Sequence, residues 1–169
     1  MGRERVKSYA LVAPAGLVRK AWFTEEQRGW LGAGCKLQDE EKAAEWVESV
    51  LEGGERKVPL DWRASVADGR VVAEALREWQ VENHAGHSVT VTAVFRDGGV
   101  TDNDELFVRA KGTGVPSLVV LGADDDLSTE EEIRGFGFDV RVVPQAGHGV
   151  VREKAGDVAG HIAEFWNRL

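Results

Sequence analysis

The stretch "GTGVPSLVVLGADDDLS", Gly112–Ser128, decides the fold. Between Pro116 and Gly122 it is an unbroken apolar run, the pattern of a β-strand with neither face in water. Strands of that kind sit in parallel sheets covered by helices on both sides. Ser128 and Glu131 in "STEE" have the spacing of a capping box and predict a short helix ending near Gly135. "FDVRVVP" reads as a second strand, and Arg141 inside it points to a sheet edge. Beyond the loop in "VVPQAGHGVV", Val158, Ile162, Phe165, Trp166 and Leu169 fall on one stripe of a final helix. Strand, helix, strand, helix is the order of an α/β fold with a parallel sheet.

Upstream, Val6–Ala13 is another apolar run, closed by Pro14-Ala15-Gly16, and reads as a buried strand with its turn. Helical patterns fill the interval that follows. "TEEQ" at Thr24–Gln27 is a capping box. Asp39–Leu51 carries Ala43, Trp46, Val47, Val50 and Leu51 on one stripe and stops at Gly53-Gly54. Val72, Ala75, Leu76 and Trp79 place a helix over Ala67–Asn83. In His87–Arg96, "VTVTAVF" alternates like a strand, but its surroundings are helical, and helix is the reading taken. No internal repeat is visible.

The chain has 169 residues, enough for one domain with a real core. A net charge of −8 excludes the basic face that nucleic acid requires and disfavours anionic membrane surfaces. No run approaches the ~20 apolar residues of a membrane span. "MGRERVKSYALVA" begins like a signal peptide, but its apolar run is short and passes into "PAGLVRK" without a cleavage site. With a single cysteine, Cys35, and so no disulfide framework, the expected location is the cytoplasm.

Two loops carry candidate chemistry. "LGADDDLST" places Asp124, Asp125 and Asp126 just past one buried strand, and "PQAGHGVV" places His148 just past the next. In open α/β sheets, functional groups gather at the carboxyl ends of strands, where loops converge on a crevice. A carboxylate bonded to one imidazole nitrogen fixes the tautomer and leaves the other nitrogen free to take a proton. Gly147 and Gly149 remove bulk around His148 and let its loop turn tightly. The bland alternative is a solvated turn of three aspartates and an ordinary loop histidine. A carboxylate and a histidine at successive strand ends favour the acid–base reading.

At this point the sequence resembles a family. "PSLVVLGADDDLS" followed by "DVRVVPQAGHGVVREKAGDVAGHIAEFW" looks like the C-terminal end of an α/β-hydrolase. The resemblance implies Asp125 as the triad acid and His148 as the triad base, and acid before base is the chain order of that fold. "SYALVAPAGLVRK" resembles the core strand that leads into the lid, and "EWQVENHAGHSVTVTAVFRDGGV" resembles the last lid helices. The implied architecture is a partial α/β-hydrolase fold of about three parallel strands with covering helices. Residues 1–16 form a core strand segment, 17–111 a mostly helical lid, and 112–169 the C-terminal core with the acid and histidine loops.

One departure is large. The family's nucleophile lies in a Gly-x-Ser-x-Gly elbow on a strand before the lid. None of Ser8, Ser49, Ser65, Ser88, Ser117 and Ser128 has those flanking glycines. Cys35, in "LGAGCKL", stands in the right chain order for a replacement but lacks the second glycine and a preceding strand, and reads as a small buried or half-buried residue.

Other candidates are weaker. His84 and His87 lie near Glu82 without a zinc motif, and "DNDE" at Asp102–Glu105 lacks the glycine and distant Glu of a calcium loop. Gly112-Thr113-Gly114 precedes a strand, the wrong order for a phosphate cradle. No metal or cofactor is expected. Trp22, Trp30, Trp46, Trp62 and Trp79 all fall in the lid-like stretch, where they pack small helices together or line an apolar pocket.

The expectation is therefore the C-terminal portion of an α/β-hydrolase, acting when complete on a small apolar ester-like substrate by Ser-His-Asp acyl transfer. Alone it is expected to be inactive, and to self-associate through an exposed sheet edge. A non-catalytic domain binding a ligand or protein on the same scaffold, or a truncated gene product, is the alternative.

Overall fold

The structure, a computed structural model, describes residues 5–32, 35–51, 58–70 and 72–169. In chain order its elements are β1 (Tyr9–Val12), α1 (Glu25–Trp30), α2 (Glu40–Trp46), α3 (Trp62–Ala67), α4 (Ala73–Asn83), α5 (His87–Asp97) and α6 (Asp104–Gly112). Then follow β2 (Ser117–Gly122), α7 (Glu130–Gly135), β3 (Asp139–Val143), α8 (Val150–Glu153) and α9 (Ala155–Trp166). The chain divides into two compact units, one holding the stretch up to Val18 together with Thr101–Leu169, the other holding Arg19–Val100.

The first unit is built around β2, whose residues are all buried. It lies between β1 and β3 and runs parallel to both, with Tyr9 opposite Ser117 and Leu118 opposite Asp139. Alternation along β2 sends its apolar residues to two different cores. Val119 and Leu121 pack with Leu17, Phe107, Ile133, Phe138 and Val140, while Leu118 and Val120 pack with Val143, Ala146, Val150, Val158 and Phe165. Each such side chain stabilises the fold by roughly 1.5–3 kcal/mol on burial. This is why an unbroken apolar run forms the central strand.

The sequence reading ends the helical stretch at residue 111, whereas α6 packs in the sheet unit. Phe107 is the reason: it is buried, stacks on Phe136 at 5.4 Å and meets the edge of Phe138 at 6.2 Å. The two connections to the other unit lie side by side. Val18 and Thr101 form a parallel bridge, and the amides of Asp102 and Asn103 donate to the carbonyls of Val18 (3.1 Å) and Gly16 (2.8 Å). Gly16 has a φ of +128°, and a Cβ there would stand 2.9 Å from the Phe107 ring, so only glycine fits.

The two edges of the sheet differ in chemistry. β3 carries Asp139 and Arg141, joined at 2.8 Å, with Arg168 at 3.8 Å from Asp139. Charge of this kind blocks further strand pairing. β1 reads Tyr-Ala-Leu-Val, apolar on both faces like an interior strand, and is only half-buried. The Tyr9 and Ala13 amides donate to Pro116 and Val120 of the β2 segment. By the alternation of a parallel ladder, Ala10 and Val12 turn their backbone groups to the other side.

Three local readings shift. The second capping box is displaced by one residue: Thr129, not Ser128, caps α7, its hydroxyl accepting from the Glu132 amide at 3.2 Å. Ser128 is held instead by a turn around Asp125, a competing local bond of the kind aspartate favours. The helix assigned to 67–83 begins later, as α4 at Ala73, because α3 already ends at Ala67 and the chain turns at Gly69 with its φ of +78°. In α9, Val158 and Phe165 are buried but Trp166 and Leu169 are exposed, so the apolar stripe is narrower than the sequence suggests.

In the Arg19–Val100 unit, the Thr24 box caps α1 reciprocally, at 2.9 and 3.2 Å. α2 buries Ala43 and Trp46 and continues through a π-helical turn, Val47–Leu51, while Gly53-Gly54 lie outside the described residues. Trp46 meets Phe23 edge-on at 4.9 Å and Trp30 at 5.9 Å, which is packing. Trp62 carries the Arg63 guanidinium at 4.3 Å, whereas Trp22 and Trp79 are exposed. α5 is helical as read, and Thr92 fits by bonding its hydroxyl to the Ser88 carbonyl at 2.7 Å.

Candidate active site

The acid and histidine loops leave β2 and β3 at the same end of the sheet and are laced together by their backbones. The Ala123 amide donates to the Val143 carbonyl and the Asp124 amide to the Ala146 carbonyl, both at 2.9 Å. Gly122 makes this lacing possible. A Cβ there would collide with the carbonyl oxygens of Ala146 and Gly147.

Asp124 and Asp126 are exposed, as a solvated turn requires, but Asp125 is not. Its carboxylate is wholly buried, with Oδ1 accepting from the amides of Leu127 (2.9 Å) and Ser128 (3.2 Å). His148 Nδ1 stands 3.2 Å from Oδ1 and 3.1 Å from Oδ2. An ionised carboxylate only accepts, so Nδ1 carries the hydrogen and Nε2 is the nitrogen left to exchange a proton. The His148 side chain is 39% exposed, so its ring reaches solvent while its partner does not.

Neither Gly147 nor Gly149 has a positive φ; the left-handed residue of this loop is Gln145, at 54°. The absence of side-chain bulk that the sequence suggests is seen most closely at Gly149, beside which the Glu153 carboxylate lies.

The environment pushes the two titrations apart. Burial by itself would raise the Asp125 carboxyl, but the His148 hydrogen bond, the Leu127 amide, the imidazolium charge and the Ser128 amide hold it below its ordinary value. His148 is raised, first by its bond to Asp125; burial opposes, the Asp125 and Asp126 charges add, and Arg152 subtracts. Asp125 thus contributes stability above its ordinary pKa of 3.8, lost as pH falls through its lowered value. His148 contributes in full below its ordinary 6.5, and that part is lost as pH rises through its raised value. The melting temperature should accordingly be highest between pH 3.8 and 6.5. His148→Gln should flatten the alkaline limb, and an alkaline limb unchanged in that variant would show that another group causes it.

Cys35 lies in the Arg19–Val100 unit. Burial first, then the Glu40 and Asp39 carboxylates, push its thiol up against the opposing Arg96 charge, the reverse of nucleophile activation. Among the described residues no three His, Cys, Asp or Glu side chains form a metal-binding group, and no helix is long and apolar enough to cross a membrane.

No family model and no curated protein matches the sequence. Solved structures do match the fold. MGS-M2, an alpha/beta hydrolase enzyme from a Medee basin deep-sea metagenome library, aligns with 95% of this chain at a TM-score of 0.58 and 12% identity. The chain carries part of the α/β-hydrolase fold. The enol-lactonase from Burkholderia xenovorans LB400 aligns with 97% of it (TM-score 0.56, 17% identity). A thermophilic esterase from Thermogutta terrifontis aligns with 98% (TM-score 0.52, 18% identity). The chain spans 56% of the length of the first and 57% of each of the other two.

Proposed function

We propose that this chain supplies the acid and base of an α/β-hydrolase triad, Asp125 and His148, to a serine nucleophile on a segment beyond these residues. The observation that carries the reading is the bond from His148 Nδ1 to the buried Asp125 carboxylate at 3.1 Å. In the reaction, Nε2 takes the hydroxyl proton as the serine oxygen attacks the ester carbonyl, and passes it to the departing alcohol. Water then resolves the acyl-enzyme, its proton taken and returned by the same nitrogen. Asp125 holds the tautomer and stabilises the imidazolium throughout. A small apolar ester is the substrate class this reading takes from the family resemblance. No cofactor enters this chemistry.

None of the six serines has the Gly-x-Ser-x-Gly surroundings, so the 169-residue chain by itself should not turn over a small activated ester. Its apolar β1 edge should make it associate with rising concentration in sedimentation experiments. Robust turnover by the purified chain, abolished in His148→Ala, would refute the need for an outside nucleophile. Translating the DNA before the Met1 codon is the complementary test, and an in-frame Gly-x-Ser-x-Gly there supports the reading. Specific ligand binding that survives His148→Ala, with no hydrolysis under any condition, would favour a binding domain instead.

A further inference from the structure

We propose that Glu153 is a positioning residue for His148, clamping the imidazole loop through the Gly147 amide and the space beside Gly149. The inference gives the proposed triad its missing support, and takes its catalytic meaning from that reading. The loop is anchored at its ends, where Ala146 and Val150 are buried in the core and the Ala146 carbonyl accepts from Asp124. Between those anchors lie Gly147, His148 and Gly149; the Gly147 carbonyl accepts from the Val150 amide (3.2 Å) and the Gly149 carbonyl from the Arg152 amide (2.8 Å), but neither glycine has a side chain to hold it.

Glu153, the last residue of α8, turns its side chain back across the loop. Its Oε2 accepts from the Gly147 amide at 3.3 Å. Its Oε1 lies 2.8 Å from the point a Cβ on Gly149 would occupy. One carboxylate therefore touches both residues flanking His148. Gly149 has a φ of −75°, open to any amino acid, so its backbone does not require glycine, and the atom a side chain there would meet first is the end of the Glu153 carboxylate. Held on both sides, the loop keeps Nδ1 facing Asp125.

The test reads the His148–Asp125 bond directly, by NMR titration of the imidazole in the whole 169-residue chain, with thermal melts alongside. Asp125, Asp126 and Arg152, the charges that act on His148, stay in place in every variant. Glu153→Ala should move the titration down toward the ordinary 6.5, with little change in melting because the side chain is exposed. Glu153→Gln keeps an acceptor oxygen at the same reach and should restore the parent titration. Gly149→Ala crowds the carboxylate and should move the titration in the same direction as Glu153→Ala, and the double variant should titrate no lower than Glu153→Ala alone. An unchanged titration in both Glu153→Ala and Gly149→Ala would overturn the proposal. So would a fall in Glu153→Gln equal to that in Glu153→Ala, since the effect would then be one of charge. Absence of hydrolysis with any nucleophile-bearing segment would sink the proposed function and leave this titration result standing.

Discussion

Gly122→Ala should separate Asp125 from His148 and lower the melting temperature by roughly 6–12 °C, the equivalent of about 3 kcal/mol of overpacking in a chain of this size. The added methyl meets the carbonyls of Ala146 and Gly147, which are backbone and cannot swing aside. Relief requires the histidine loop to lift from the end of β2, breaking the Asp124–Ala146 bond. That motion also carries Nδ1 away from a carboxylate that is itself fixed by the Leu127 and Ser128 amides. Calorimetry measures the first effect and the His148 titration the second. Parent-like values in both would show that the close approach at Gly122 does not set the pair.

Asp125→Asn is expected to act on chemistry more than on folding. On the proposed function, the chain paired with a nucleophile-bearing segment should lose about 10⁴-fold in kcat, with KM little changed. Asparagine can keep the oxygen that accepts from Leu127 and Ser128, so the turn persists. Its amide nitrogen, however, is a donor aimed at Nδ1, and that selects the tautomer with the hydrogen on Nε2. A histidine in that state cannot take the serine proton. A loss below tenfold would remove Asp125 from the mechanism, and esterase kinetics on the matched pair of enzymes decides it.

Much of the sheet unit was legible because burial writes itself into composition. The apolar run between Pro116 and Gly122 is the mark of a strand buried on both faces, and it became the central strand β2. The loop of three aspartates and His148 stood out from the geometry of strand ends, and the choice of Asp125 among the three came from the family resemblance. What escaped depended on distances between residues far apart in the chain. Nothing in "GADDD" says that Ala146 and Gly147 press on Gly122. Nor does "GHGVVRE" show that a carboxylate folds back toward both glycines. Ser128 misled for a local reason, since the Asp125 turn claimed its amide before α7 began. The division near Val100 rather than residue 111 turned on one aromatic side chain, Phe107, which a helical pattern alone cannot assign to either unit.

The paired connections at Val18 and Thr101 make the Arg19–Val100 unit an insertion pinned at its base. Chain closure between fixed ends costs only about 0.6 kcal/mol for each doubling of length. Residues between those two points are therefore free to be lengthened, shortened or exchanged over evolutionary time at little cost to the sheet. The strands hold the Asp125–His148 pair in place whatever changes occur in that stretch.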